Sequence, residues 1–221
     1  MKNNKLKIAV VYRGMYLRAK PNSKAMNFFT IIQNNKDKLL NKLTTYDLFY
    51  ETTSTTHEFD SDLMKKFPAK KVSFKHGNKH CMDSVLNSLQ MYDFTEYDFI
   101  FNIRFGLKFN KSIDQFNIDY TKFNYLWKEP KKFNPPNITR VSDHIFAFPT
   151  CMLDNVMNMP KYFDEVTAKE DKLSHYCLHF LNLDQSKLNS MVEGYHWSGG
   201  HKSDPEGKKY LEILRYDTKV D

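Results

Sequence analysis

The heptapeptide His196-Trp197-Ser198-Gly199-Gly200-His201-Lys202 sets two imidazoles, a glycine pair and an ammonium in one short stretch. Neutral imidazole takes a divalent cation or hydrogen-bonds a phosphate. Glycine lets backbone N–H groups approach phosphate oxygens, and lysine adds a compact positive charge. The combination suits a diphosphate, with His196, Gly199 and Lys202 as the candidate contacts, although the same residues also make an ordinary solvated turn. Nearer the N-terminus, Arg13 and Arg18 flank Gly14, and a guanidinium can hold a phosphate through two parallel hydrogen bonds. Tyr12 offers a ring for stacking on a base, Thr52 opens a hydroxyl-rich run to His57, and Arg104 follows the most apolar segment of the chain. Trp127 and Trp197 are candidate platforms for the apolar face of a pyranose.

These groups meet only if the chain brings them together. Residues 7–12 form a continuous apolar run ending at Arg13-Gly14, the pattern of a buried parallel strand that opens into a loop. Met26 to Leu43 carries apolar residues at helical spacing. A second strand is expected at Asp47–Tyr50, a third at Val72–Phe74, a helix over 80–92, and the strongest buried strand at Tyr97–Arg104. Beyond these, Tyr125–Pro136 reads as a crossing loop because of its prolines. Arg140–Phe148 reads as a strand, with helices expected near Cys151–Met159 and Glu170–Leu183. Strands alternating with helices imply a mainly parallel central sheet flanked by helices. Such sheets bind ligands beyond the C-terminal ends of their strands, so the loops at 13–18, 52–57 and 104–111 are expected to face one crevice.

The composition fits one compact α/β domain over 1–221, with a nucleotide-binding half near 1–110 and an acceptor-side half with the glycine-rich loop near 111–221. Hydrophobic residues make up 41% of the chain and aromatics 15%, which suffices for a core. Three cysteines without CxxC spacing (Cys81, Cys151, Cys177) read as reduced packing residues. No signal-type or membrane-length apolar stretch is present, so a soluble, cytoplasmic protein is expected. The net charge of +7 favours anionic partners, but the basic residues are dispersed and no RRM, KH or helix-turn-helix pattern stands out. A nucleic-acid-binding module is therefore the alternative rather than the leading reading. Walker A, GxGxxG, GxSxG and HExxH sequences are also missing.

In this order, Ile8–Arg18, Tyr97–Phe109 and the His196-x-x-Gly199-x-x-Lys202 segment resemble nucleotide-sugar glycosyltransferases of the GT-A type. The first stretch is similar to the first strand and donor loop of small viral and bacterial members. The third matches the HxxGxxK signature of the glycogenin-like and lipopolysaccharide-galactosyltransferase-like families. The resemblance implies a Rossmann-like nucleotide-binding half, a nucleotide-diphosphate sugar donor (UDP-sugar favoured), a hexose as the transferred group, and a glycan or glycoconjugate acceptor. It also implies a divalent cation, manganese or magnesium, with His196 as a metal ligand. One departure is plain: where the family places an acidic DxD pair, this chain has Asn102, Arg104 and Gly106, and no Asp or Glu occurs between Asp98 and Asp114. Three readings stay open. Arg104, Lys108 and Lys202 neutralise the diphosphate without a metal; or His196 holds a metal with carboxylates such as Asp60 or Asp62; or the chain is an inactive, donor-binding relative. For an inverting transfer a carboxylate must take the acceptor hydroxyl's proton, and Asp143, Glu170 and Asp171 are the candidates.

Overall fold

The computed structural model describes residues 5–14, 17–18, 26–27, 29–52, 61, 64–74, 81–129, 140–142, 144–158, 176–177, 183–196 and 205–213. Its main strands are β1 (Ile8–Arg13), β2 (Tyr46–Thr52), β3 (Lys71–Phe74), β4 (Phe99–Arg104), β5 (Leu107–Phe109), β6 (Phe123–Tyr125), β7 (Ile145–Pro149), β8 (Leu188–Ser190) and β9 (Leu211–Ile213). The longer helices are α1 (Phe29–Lys38) and α2 (Cys81–Gln90).

Seven strands form one sheet in the order β8-β6-β7-β4-β1-β2-β3. All run parallel except β7, which pairs antiparallel with both β4 and β6. This is the expected mainly parallel α/β sheet, and it draws strands from both halves of the chain. The core lies on its two faces. Ile8, Val10, Tyr12, Tyr50, Phe101 and Ile103 pack with Leu39 and Leu40 beyond α1 on one side. Ala9, Val11, Phe49, Ile100, Phe146 and Phe148 pack with Val85 and Leu89 of α2 on the other. Residues i and i+2 share a face of a strand, so β1 is apolar on both sides, as a central parallel strand must be.

Several boundaries differ from the sequence expectation. The long helix over 26–43 is shorter: Met26–Asn27 pairs with Leu17–Arg18 as a small ribbon, α1 stops at Lys38, and a 3₁₀ turn over Leu40–Lys42 tucks Leu39, Leu40 and Leu43 into the core. The loop expected over 104–111 is largely a strand. Phe105, Leu107 and Phe109 alternate inward with period two, and β5 pairs antiparallel with β9. Lys108 consequently points to solvent beside Glu212, 3.8 Å away. Thr52 closes β2 instead of opening a loop. The 140–148 strand is interrupted between Val141 and Ile145, and Cys151 lies in a 3₁₀ turn that leads into helix at 153–158. Tyr176–Cys177, within the helix expected at 170–183, is extended and pairs with Arg140–Val141.

Candidate functional site

Six of the seven sheet strands end at the same edge, and antiparallel β7 begins there. The segments that meet at this edge are therefore 13–14, 51–52, 102–104, 126–129, 142–145 and 191–196. Strand order reverses between β1 and β4: β2 and β3 lie beyond one, and β7, β6 and β8 beyond the other. Open α/β sheets bind ligands at such a switch point.

Buried polar groups concentrate at this edge: Arg13, Glu51, Thr52, Asn102, Glu129, Ser142, His144 and His196. The reason can be followed along each strand. Val11, Phe49 and Ile100 are inward residues on the α2 face, and two positions on, that same face carries Arg13, Glu51 and Asn102. Arg13 is the register partner of Glu51 on one side and Arg104 on the other, so three charged residues stand in a row across adjacent strands. Arg13, at 1% exposure, and Glu51, at 0%, are too deeply buried to stand there without polar partners. Arg13 Nε donates to Asn102 Oδ1 at 2.6 Å, and Asn102 Nδ2 donates to Ser88 Oγ at 2.8 Å. Glu51 Oε2 accepts from Ser84 Oγ at 2.9 Å and from the Gly14 N–H at 3.3 Å. Gly14 has φ of 87° with open space where a Cβ would stand, so glycine is favoured by the turn alone.

Across the switch point, Arg104 is partly buried, and its N–H donates to the His144 carbonyl at 2.9 Å. Ser142 Oγ and His144 Nδ1 share a hydrogen bond of 2.7 Å. The Ser142 N–H donates to the Trp127 carbonyl, and the His196 N–H donates to the Lys128 carbonyl. The 126–129 segment thus lies between those two stretches.

The expected site residues fall into three groups. Arg13, Gly14, Thr52, Arg104 and His196 all lie along the strand-end edge, His196 on the side of β6 and β8. Tyr12 does not: its ring is fully buried on the α1 face, stacked on Phe105 at 5.3 Å, and leaves no face for a base. Burial pushes its hydroxyl above the ordinary tyrosine range. Asp143, Glu170, Asp171, Gly199 and Lys202 lie outside the described residues, as do Asp60, Asp62, Trp197 and the Arg18 side chain.

His196 is engaged in packing and hydrogen bonding. Its ring meets Trp127 edge-on at 5.3 Å, and Nε2 lies 2.9 Å from the Glu193 carbonyl. A carbonyl only accepts, so Nε2 is the donor in this contact. Among the described residues, no three His, Cys, Asp or Glu side chains come together as a cation would require. The ordered polar groups described at the edge are a row of guanidinium, carboxylate and amide. It suits attraction of an anion toward Arg104.

Glu51, Ser84, Ser88 and the Ser142–His144 pair belong to this edge and form no motif in the sequence. A signal for the first exists: Glu51 stands two residues after buried Phe49, where a charge in an apolar strand marks either its end or a use.

No protein-family model matches the sequence, and no curated protein matches it. Among solved structures, the chain is similar to the apo-form glycosyltransferase GlyE of Streptococcus pneumoniae, with 13% identity and a TM-score of 0.43 over 84% of this chain and 41% of that one. The chain thus spans about two fifths of the length of GlyE. It is also similar to 4-diphosphocytidyl-2C-methyl-D-erythritol synthase from Anaerococcus prevotii, at 10% identity and a TM-score of 0.44, covering 72% of this chain and 76% of that one. A third similar structure is CMP:2-keto-3-deoxy-manno-octonic acid synthetase complexed with CTP, at 10% identity and a TM-score of 0.45 over 74% and 83% of the two chains. No helix among the described residues is long and apolar enough to cross a membrane.

Proposed function

We propose that the chain is a glycosyltransferase that moves a hexose from a nucleotide-diphosphate sugar, a UDP-sugar in the first instance, to a glycan or glycoconjugate acceptor. One observation carries the reading: the in-register row Arg104–Arg13–Glu51 at the switch point of a mainly parallel sheet, with two guanidiniums to one carboxylate. A leaving diphosphate needs positive charge held in place, and this row supplies it without a cation. Arg104 is the direct contact; Arg13, fixed by Asn102 and almost fully buried, acts through its field. Gly14 and Thr52 border the nucleotide, and Arg18, Gly199 and Lys202 complete the phosphate contacts from the loops. His196 shapes the acceptor side with Trp127. In the transfer, the bond from the sugar's anomeric carbon to the diphosphate oxygen breaks and a bond to the acceptor oxygen forms. The acceptor's proton passes to a carboxylate, for which Asp143, Glu170 and Asp171 remain the proposed candidates.

The test is thermal stabilisation by uridine and guanosine diphosphates, each with EDTA and with manganese. A rise in Tm with uridine diphosphate in EDTA is expected, reduced in Arg104→Ala. No shift with either nucleotide under either condition overturns the reading. Dependence on manganese retains the donor and replaces the cation-free chemistry.

A further inference from the structure

Helix α2 touches the crevice edge at two points, one helical turn apart. Ser84 Oγ donates to Glu51 Oε2 at 2.9 Å. Four residues on, Ser88 Oγ accepts from Asn102 Nδ2 at 2.8 Å while donating to the Val85 carbonyl at 2.7 Å. Both contacts are passed to β1. Glu51 Oε2 also accepts the Gly14 N–H at 3.3 Å, and Asn102 Oδ1 accepts Arg13 Nε at 2.6 Å. One helix therefore reaches both the backbone and the side chain of the Arg13-Gly14 pair, through serines at i and i+4 spacing that share a face.

Serine is a poor choice for the sheet-facing side of a helix unless its hydroxyl is used, since it weakens the helix and brings a polar group into the interior. Here the neighbours Val85 and Leu89 fill the apolar role, while Ser84 and Ser88, at 6% and 0% exposure, face polar partners. Hydrogen bonds to a charged group away from water are the stronger kind.

We propose that α2 is the positioning element of the crevice: Ser84 fixes Glu51 and Ser88 fixes Asn102, and these two set how Gly14 and Arg13 leave β1 before any ligand arrives. What the crevice then binds rests on the function proposed above; the ligand-free geometry does not. Arg104 and Gly14 contact the ligand in that reading, whereas Ser84 and Ser88 act only through Glu51 and Asn102.

Ser84→Thr and Ser84→Val separate the hydroxyl from the volume it occupies. The measurement is amide hydrogen exchange of Gly14 in the ligand-free full chain, referenced to Val10 in the same strand. In Ser84→Val, exchange at Gly14 is expected to accelerate roughly tenfold relative to Val10, and in Ser84→Thr to stay within about threefold of the parent. In parallel, affinity for uridine diphosphate should fall roughly tenfold in Ser84→Val and hold in Ser84→Thr. Equal Gly14 exchange in the two variants overturns the proposal, as does acceleration of Gly14 and Val10 together, which would mean general loosening. Should the parent chain bind neither uridine nor guanosine diphosphate, the proposed function fails while the exchange comparison still decides the role of α2. If Ser84→Val does not fold, Ser84→Ala carries the same measurement with the same deciding outcomes.

Discussion

At the N-terminal ends of the parallel strands, Lys7 and Lys70 both reach Glu96 at 2.5 Å, Tyr92 donates to the same carboxylate at 2.7 Å, and the Tyr97 hydroxyl donates to Asp47 at 2.6 Å. Lys7 and Lys70 also lie over the rings of Tyr97 and Tyr92, at 4.6 and 5.1 Å. The ionic groups of this cluster keep more than a third of their side-chain surface in water. At the opposite ends, Arg13, Glu51 and Asn102 make comparably short contacts with almost no exposure. Similar chemistry at the two edges therefore has different consequences. Exposed charges share partners, and solvent replaces any that is lost. Buried charges hold one arrangement, and removing a member strands the rest. Only the second kind can keep a charge aimed at a ligand.

Arg13→Ala is the severest test of that contrast. It takes the Arg13 Nε–H away from the buried Asn102 Oδ1 and removes a large side chain from the buried edge, and a loss of about 2–3 kcal/mol is expected by urea denaturation. A loss below about 1 kcal/mol would remove the distinction between the edges. Gly14→Ala places a side chain at φ of 87° and should destabilise by about 1–2 kcal/mol, read in the same titration. At the other edge, Lys70→Met should lower Tm by only about a degree or two, and the difference should vanish in high salt because exposed pairs are screened. A large, salt-insensitive drop would show that the charges of this edge are held as rigidly as those opposite.

The smallest effect is a pH dependence. Hydrogen bonding from Lys7, then Lys70 and Tyr92, lowers the Glu96 carboxyl from 4.5 to about 2. A depressed carboxyl stabilises the fold above its unfolded value, and that contribution is lost as pH falls toward the folded value. Melting temperature should therefore decline across pH 4.5 to about 2, and the decline should be shallower in Glu96→Gln. Parallel curves for the two proteins would count against this attribution.

The strands are legible in the sequence where burial on both faces leaves an unbroken apolar run, as in Ile8–Tyr12 and Phe99–Ile103. So is the shared edge, because strand alternation with helices fixes where loops emerge. The 104–111 stretch reads as a loop because Arg104, Lys108 and Lys111 dominate its charge, while the period-two set Phe105, Leu107 and Phe109 belongs to the core. Tyr12 misleads for a related reason: an aromatic next to a candidate phosphate loop carries no mark of which face it occupies until the register is known. Glu51 and the two serines of α2 are illegible as a unit because Ser84 meets a partner 33 residues away and Ser88 one 14 residues away. Sequence spacing reports helical faces well, but it does not report which strand lies across from them.

The reversed strand β7 also governs how the chain must assemble. Its place between β4 and β6 means that β4, emerging from synthesis as Phe-Ile-Phe-Asn-Ile-Arg, pairs with β1 on one side and waits for residue 145 on the other. During that interval an apolar strand edge is open, a template for pairing with another chain. Inserting a late strand into the middle of a sheet closes long loops before the contacts reward it. Fragments that stop before Ile145 should consequently aggregate rather than fold on their own, and light scattering of a 1–122 fragment against the full chain would show it.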